Sequence, residues 1–312
     1  MGRLGEGTQR DRDLSIRGPG SRSVAGPVSA GLDNRGAARQ TPAMEMPLTV
    51  PREPLAGPAV AQAGVMPRGA FARAPGAPDL SIVIPAYNER ENVVPLFDEL
   101  REALARVGRS YEIVMVDDGS RDGTPEWLVR EAARDPRVVP VLLAGNHGQS
   151  AAIAAGLRHA RGAVIVTLDA DLQNDPADLP RLLAGLESAD VVSGIRAQRH
   201  DRWLRRVSSR VANGVRRMAL GDPITDIGCS FKAYRREALE GIPMFAGAHR
   251  FLPALCMFRG ARLIEVPLSH RPRRHGVSKY GVGNRLWRGL YDLIGVRWLK
   301  SRMLRYRERE PR

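Results

Sequence analysis

SIVIPAYNERENVVPLFDELREALARVGRSYEIVMVDDGS, residues 81–120, decides the fold. SIVIP and EIVMV are short, continuously apolar and rich in β-branched residues, the composition of strands covered on both faces. ENVVPLFDELREALARV between them places its apolar residues at helical spacing, so the stretch predicts strand, helix, strand. Each strand runs into a polar cluster, PAYNE after the first and DDGS after the second. Sheets of this kind bind ligands beyond the carboxyl ends of their strands, which makes these clusters candidate binding groups. No glycine lies between Pro85 and Val107, so a Gly-rich phosphate loop of the Rossmann or P-loop type is excluded after the first strand.

The same rhythm continues along the chain. VVPVLL (138–143), AVIVTLDA (163–170) and DVVSGI (190–195) predict three further strands, and TPEWLVREAARD (124–135), GQSAAIAAGLRHA (148–160) and PADLPRLLAGLE (176–187) three further helices. Pro176 suits the first turn of the last helix. Alternating strands and helices mean an α/β fold, a Rossmann-like, mostly parallel sheet with helices on both faces.

Residues 1–78 differ from the rest. They hold ten Pro, twelve Gly and one aromatic, Phe71, and without a periodic apolar pattern they cannot offset the entropy of ordering. We expect a disordered extension, since no apolar core of a targeting peptide follows its first basic residues. The globular pattern begins at Asp79 and leaves enough chain for one good core. No run approaches the ~20 apolar residues that span a bilayer. Cys229 and Cys256 lie outside any metal-ligand spacing, which suggests inert thiols in a reducing compartment.

The formal charge of +14 is segregated. Residues 271–312 carry thirteen basic against three acidic side chains, and residues 196–217 eight against one. A pI near 10.9 raises the reading of a nucleic-acid-binding protein. However, no RRM, zinc-finger or helix-turn-helix signature accompanies the arginines, and acid clusters would repel a polyanion. No nucleic-acid partner is expected.

LDADLQND (168–175) places Asp169, Asp171 and Asp175 close together, with Asp178 following. Their repulsion must be offset by a metal, by cations or by water. In an extended segment residues i and i+2 project to one side, so Asp169, Asp171 and Gln173 converge and Ala170 leaves room for a flat group. Two carboxylates with open positions suit Mg²⁺ or Mn²⁺ and phosphate oxygens, whereas zinc would want His or Cys. Asp175 before Pro176 fits a helix N-cap.

LSIVIPAYNERENV, YEIVMVDDGSRDGT, LDADLQ, VSGIR and RRHGVSKYG, in this order, resemble the family 2 glycosyltransferases of GT-A fold, most of all the dolichyl/polyprenyl-phosphate mannose or glucose synthase branch, over roughly residues 79–290. The resemblance implies a hexosyltransferase that moves a hexose with inversion from a nucleotide-sugar donor, of GDP-mannose or UDP-glucose type, to a polyprenyl-phosphate lipid acceptor, with Mg²⁺ or Mn²⁺ on the donor diphosphate. By motif, Pro85, Tyr87, Glu89, Met115 and Asp117 would hold base and ribose. Asp169, Ala170, Asp171 and Gln173 would serve the metal and diphosphate, with Asp169, Asp171 and Gln173 as metal ligands. Arg196, Arg273 and Lys279 would contact donor phosphates, and Arg205, Ser209 and Ser278 the acceptor phosphate. Asp171, Arg196, Arg205 and Ser209 are the expected catalytic residues. Basic side chains are needed because a metal alone cannot balance a diphosphate and an incoming phosphate.

Two acceptor classes remain to be separated. A phosphate is already ionised, whereas a saccharide or protein hydroxyl needs a positioned carboxylate as base. Relatives that use hydroxyls typically show an ED pair after the DxD region; GAHRFLPALCMFRG here contains no acid. Many relatives of the polyprenyl-phosphate branch continue into transmembrane helices, but this chain continues with NRLWRGLYDLIGVRWLKSRMLRYRERE. At helical spacing Leu286, Trp287, Leu290, Tyr291, Leu293 and Ile294 share one face, with Arg285, Arg288 and Asp292 opposite. Residues 284–312 are therefore expected to form a basic amphipathic segment after a 79–283 catalytic domain, lying on an anionic membrane surface or packing on that domain. The expected location is peripheral, at the cytoplasmic membrane face.

Overall fold

The computed structural model describes residues 75–196, 213–273 and 282–304. Seven strands form one sheet: β1 (Leu80–Ala86), β2 (Tyr111–Asp117), β3 (Val138–Leu142), β4 (Val164–Thr167), β5 (Val191–Arg196), β6 (Lys232–Arg235) and β7 (Leu263–Leu268), in the order β3-β2-β1-β4-β6-β5-β7. β6 runs antiparallel to both neighbours, and every other pairing is parallel. The helices are α1 (Arg90–Val107), α2 (Thr124–Arg134), α3 (Gln149–His159), α4 (Leu179–Ala184), α5 (helical over 213–220), α6 (Arg236–Leu239), α7 (Ala248–Phe258) and α8 (Val282–Arg302).

Alternate residues of the central strands feed two cores. Ile82, Ile84 and Met115 join Leu96 and Leu100 of α1, Leu128 of α2 and Leu182 of α4. Val83, Val114 and Val116 point the other way, to Ile153 and Leu157 of α3, Leu252 and Leu255 of α7, and Leu293 and Val296 of α8. This two-sided burial is the reason the strands are continuously apolar.

The five predicted strands and four predicted helices all form, with ends shifted by a few residues. PADLPRLLAGLE breaks into 3₁₀, α and 3₁₀ segments, Pro176–Asp178, Leu179–Ala184 and Gly185–Glu187. β4 ends at Thr167, short of the acids. β6, β7 and the helices α5 to α7 lie outside the predicted set, whereas α8 forms where helical spacing predicts a helix over 286–294.

Candidate active site

The carboxyl ends of β1 and β2 are joined by their loops. Asn88 N–H donates to Ser120 Oγ (2.8 Å) and Arg121 N–H donates to Asn88 Oδ1 (2.8 Å). Glu89 N–H reaches Thr124 Oγ1 (3.2 Å) and Arg90 N–H reaches Asp122 Oδ2 (2.9 Å). Asn88 sits at φ 51, a conformation that Asn tolerates better than most residues. Gly119 brings the second loop against the β3–α3 loop: a Cβ there would stand 2.5 Å from the Gly145 carbonyl carbon. These contacts shape a cleft of about 380 Å³ lined by Tyr87, Asp117, Gly119, Leu142 and Asn146, among others.

The two acids of DDGS have different surroundings. Asp118 accepts from the N–H groups of His147 (2.7 Å) and Gly148 (2.8 Å) and so holds the β3–α3 loop. Asp117 accepts from Ser120 N–H through Oδ2 (3.0 Å), while its buried Oδ1 has no partner among the described residues. Such an orphaned oxygen in a cleft wall is an acceptor open to a ligand or to water. Pro85, Tyr87 and Glu89 stand at the same edge, partly exposed. Met115 does not: its side chain is enclosed in the core with no exposed surface, so the expectation that it touches a nucleotide is corrected.

The acids after β4 form the next part of the site. Asp171 is 8 % exposed, and Arg273 Nη2 donates to its Oδ2 at 2.7 Å. Asp169 accepts from Gln149 Nε2 at the start of α3 (2.7 Å). Burial, and next the charge of Asp171, push the Asp169 carboxyl up to about 6. Ala170 is buried between the two acids. Gln173 departs from the expected alternation. Leu172 lies at φ 60, which breaks the extended chain, and Gln173 meets Asp171 through its backbone N–H (3.2 Å). Asp175 caps the following turn by accepting from Ala177 N–H (2.9 Å), and Asp178 accepts from Ser269 N–H, so these two acids are structural.

Mg²⁺ or Mn²⁺ fits this donor set. The site offers hard carboxylate oxygens, and burial and its neighbour make one of the acids harder to ionise, a penalty that a cation relieves. Among the described residues no group of three His, Cys, Asp or Glu converges. An ion at Asp169 and Asp171 would therefore complete its shell with water and diphosphate oxygens, the usual habit of Mg²⁺.

Several cationic groups surround the acids. Arg196, at the end of β5, is held by Asp226 through Nε–Oδ2 and Nη2–Oδ1 contacts of 2.7 Å each. Asp226 lies on a segment anchored by Glu265 of β7, which accepts from Thr225 N–H (2.9 Å). Lys232, fully buried at the start of β6, donates to the Cys229 carbonyl. Burial lowers its pKa, offset in part by Asp169 and Asp226. Arg205, Ser209, Ser278 and Lys279 lie outside the described residues. Motif reading passed over Gln149, Asp226, Lys232 and Glu265. Lys232 carried one signal, a lone cation inside the apolar run CSFKAY; the others carried none, because their partners are 20 to 40 residues away.

The far end of the chain packs on the same body. Leu293 and Val296 of α8 enter the second core, and Lys300 Nζ donates to the Leu220 carbonyl. Tyr291, Ile294 and Trp298 face outward, exposed by 80 %, 62 % and 62 %. The expected single apolar face is thus two stripes: Leu293 turns inward, and Asp292 stands close to Gly247 at the start of α7. Among the described residues no helix is long and apolar enough to cross a membrane. Cys229 and Cys256 are free and buried, and burial pushes the Cys256 thiol up to about 12.

Comparison with known proteins agrees with this arrangement. An undecaprenyl-phosphate 4-deoxy-4-formamido-L-arabinose transferase of Edwardsiella ictaluri is 43 % identical over 218 residues, 69 % of this chain and 66 % of the relative. The enzyme of the same name from Aeromonas hydrophila is 39 % identical over the same extent, so the chain spans just under two thirds of the length of these relatives. Two solved structures share the fold. Glucosyl-3-phosphoglycerate synthase of Mycobacterium tuberculosis with UDP has a TM-score of 0.55 at 20 % identity, covering 72 % of this chain and 80 % of that one. A mannosyltransferase of Pyrobaculum calidifontis with GDP-Man and Mn²⁺ has a TM-score of 0.50 at 24 % identity, covering 74 % and 66 %. The seven-stranded α/β sheet is a GT-A fold. Residues 81–242, from the first strand through the acid pair to the antiparallel β6, match glycosyl transferase family 2, and the chain belongs to that family.

Proposed function

We propose that the protein is an inverting glycosyltransferase that moves a sugar from a nucleotide sugar to a polyprenyl phosphate. The observation that carries this reading is the acid pair Asp169 and Asp171, one carboxyl raised to about 6 and the other bound by Arg273, beside a cleft with the unpartnered Asp117 Oδ1. Asp117, Tyr87, Glu89 and Pro85 take the base and ribose. Asp169 and Asp171 would hold the divalent cation, which would supply charge neutralisation to the diphosphate; Gln173 stands beside them, joined to Asp171 through its backbone N–H, and Ala170 leaves space next to the pair. Arg273, Arg196 and Lys279 balance the donor phosphates, while Arg205, Ser209 and Ser278 orient the acceptor phosphate.

The acceptor follows from chemistry. A phosphate monoester has a second pKa near 6, so at neutral pH its oxygen attacks the anomeric carbon as that carbon's bond to the diphosphate breaks, and no proton has to be removed. The start of α7, where hydroxyl-using relatives are expected to keep an acid, carries His249 instead. The names of the two curated relatives support a polyprenyl-phosphate acceptor. Their sugar is a modified arabinose, so the sugar class widens from the expected hexose to hexoses and modified pentoses. The outward stripe Tyr291, Ile294 and Trp298, with Arg297 and Arg302 nearby, supports peripheral attachment to an anionic membrane surface.

The test is incubation of the full chain with MgCl₂ or MnCl₂, a panel of radiolabelled UDP- and GDP-sugars, and either undecaprenyl phosphate or undecaprenol. Transfer to the phosphate alone is expected, abolished by EDTA. Efficient transfer to the alcohol, or to a free saccharide, would overturn the acceptor assignment.

A further inference from the structure

Two successive side chains at the start of α3 reach different parts of the site. Gln149 donates to Asp169, whereas Ser150 Oγ lies 2.6 Å from Nδ1 of His249, the second residue of α7. Ser150 Oγ also accepts from Gly247 N–H (2.9 Å). Ser150 is buried, and its hydroxyl proton has no acceptor other than His249 Nδ1 among the described residues. The proton therefore points at Nδ1, and a neutral imidazole bonded in this way carries its own proton on Nε2. Nε2–H has no partner among the described residues, and the ring is only half-buried. Burial first, then Arg250 and Lys232, hold His249 far below its ordinary value, at about 3, so the ring is neutral at physiological pH. The same Lys232 ammonium acts on Asp169, which puts imidazole and acid around one buried cation.

The charged groups of this site already match charged substrate groups. Arg273 and Arg196 suit phosphates, and the acids suit a cation. A neutral N–H donor, held by the residue of α3 that follows the one holding an acid, suits a neutral oxygen such as a sugar hydroxyl.

We propose that His249 Nε2–H donates a hydrogen bond to an oxygen of the sugar being transferred, with Ser150 as the positioning residue that fixes the tautomer. This rests on the glycosyltransferase reading above and adds to it a determinant of sugar choice. A site built to bond a hydroxyl discriminates against analogues that lack it more sharply than an apolar pocket does, because an unmet buried donor is costly.

The experiment is isothermal titration of the full chain in MgCl₂ with UDP, GDP and a panel comprising UDP-glucose, UDP-galactose, UDP-xylose and GDP-mannose. The sugar nucleotide that wild type binds most tightly becomes the probe for His249→Phe, His249→Gln and Ser150→Ala. We expect His249→Phe to weaken the probe by about tenfold, the scale of one hydrogen bond of ~1.4 kcal/mol. The matching free diphosphate should change by less than about twofold, which also reports that the variant is folded. His249→Gln, which keeps an N–H, should recover part of the loss. Ser150→Ala should weaken the probe in wild type and add nothing in the His249→Phe background. Equal weakening of diphosphate and sugar nucleotide, an unchanged probe affinity, or no recovery with Gln would overturn the proposal while leaving the glycosyltransferase reading intact. A wild type that binds neither the free diphosphates nor any of the sugar nucleotides would overturn both.

Discussion

At the scale of single residues, the opposite surroundings of neighbouring acids organise the site. Asp117 keeps an unpartnered oxygen while Asp118 spends both of its oxygens on the loop beside it. Asp171 pairs with Arg273, and Asp169, deeper and near a like charge, holds its proton up to about 6. Asp171→Asn should therefore lower metal-dependent turnover by roughly a hundredfold or more, the scale seen when an electrostatic group of an active site is removed. The melting temperature without ligand should move little, since the lost pair with the partly exposed Arg273 is offset by the lost repulsion of Asp169. A large drop by differential scanning fluorimetry would assign Asp171 a structural role instead. His249 gives a second residue-scale expectation. Its folded pKa of about 3 lies below the ordinary 6.5, so the unfolded chain binds the proton first as pH falls. This residue's contribution to stability is full above pH 6.5 and is lost on acidification towards pH 3. Denaturant unfolding of His249→Gln should show a shallower loss of stability than wild type across that window.

At the scale of elements, α8 presents two stripes, one buried and one exposed. Leu293 and Val296 are buried against the second core, and Tyr291, Ile294 and Trp298 project outward. Leu293→Ala should cost about 2 kcal/mol, the lower end for a buried leucine because the site is at the rim. The double change Tyr291→Glu and Trp298→Glu should leave stability nearly unchanged but reduce binding to vesicles containing anionic lipid. Co-sedimentation at low and high salt checks this, because the arginines of the helix add an attraction that salt screens. Equal sedimentation of both proteins would mean that the outward stripe has no part in membrane attachment. Another element-scale device is the start of α3, where Gly148 is held by Asp118 and Gln149 holds Asp169. One helix terminus thereby ties the cleft to the acid pair.

At the scale of the whole molecule, the sheet sets three carboxyl ends side by side. β2, β1 and β4 are adjacent and parallel, so PAYNE, DDGS and DADLQ meet along one edge despite being spread over residues 85–173. β6 enters antiparallel between β4 and β5 and delivers Lys232 to the same edge. β1 starts at Leu80, and Asp79 N–H already bonds the Ser110 carbonyl (3.0 Å). A chain starting near Arg73 should therefore stay soluble and retain most of its turnover. Insolubility, or loss of most activity, would place part of the catalytic unit before that point.

What was legible in the sequence followed from local chemistry. Continuous apolar runs such as SIVIP can only be strands covered on both faces, and the order strand, helix, strand then dictates a parallel sheet with its polar loops at one end. The acid pair, the cleft-lining PAYNE and DDGS residues, and the N-cap at Asp175 were readable for the same reason: each depends on a few neighbouring residues. Tertiary structure alone decided the rest. Asp117 and Asp118 look alike in sequence and differ only because the β3–α3 loop lies within reach of one of them. Met115 projects to the same side of its strand as Asp117, but it lies two residues back from the carboxyl end and so is enclosed in the core. Leu293 turned inward and Ile294 outward because α7 and α5 occupy one side of α8, a fact no helical wheel contains. Arg196 and His249 acquired their partners from distant segments, and hydrogen bonds between such segments leave no periodic mark on the chain.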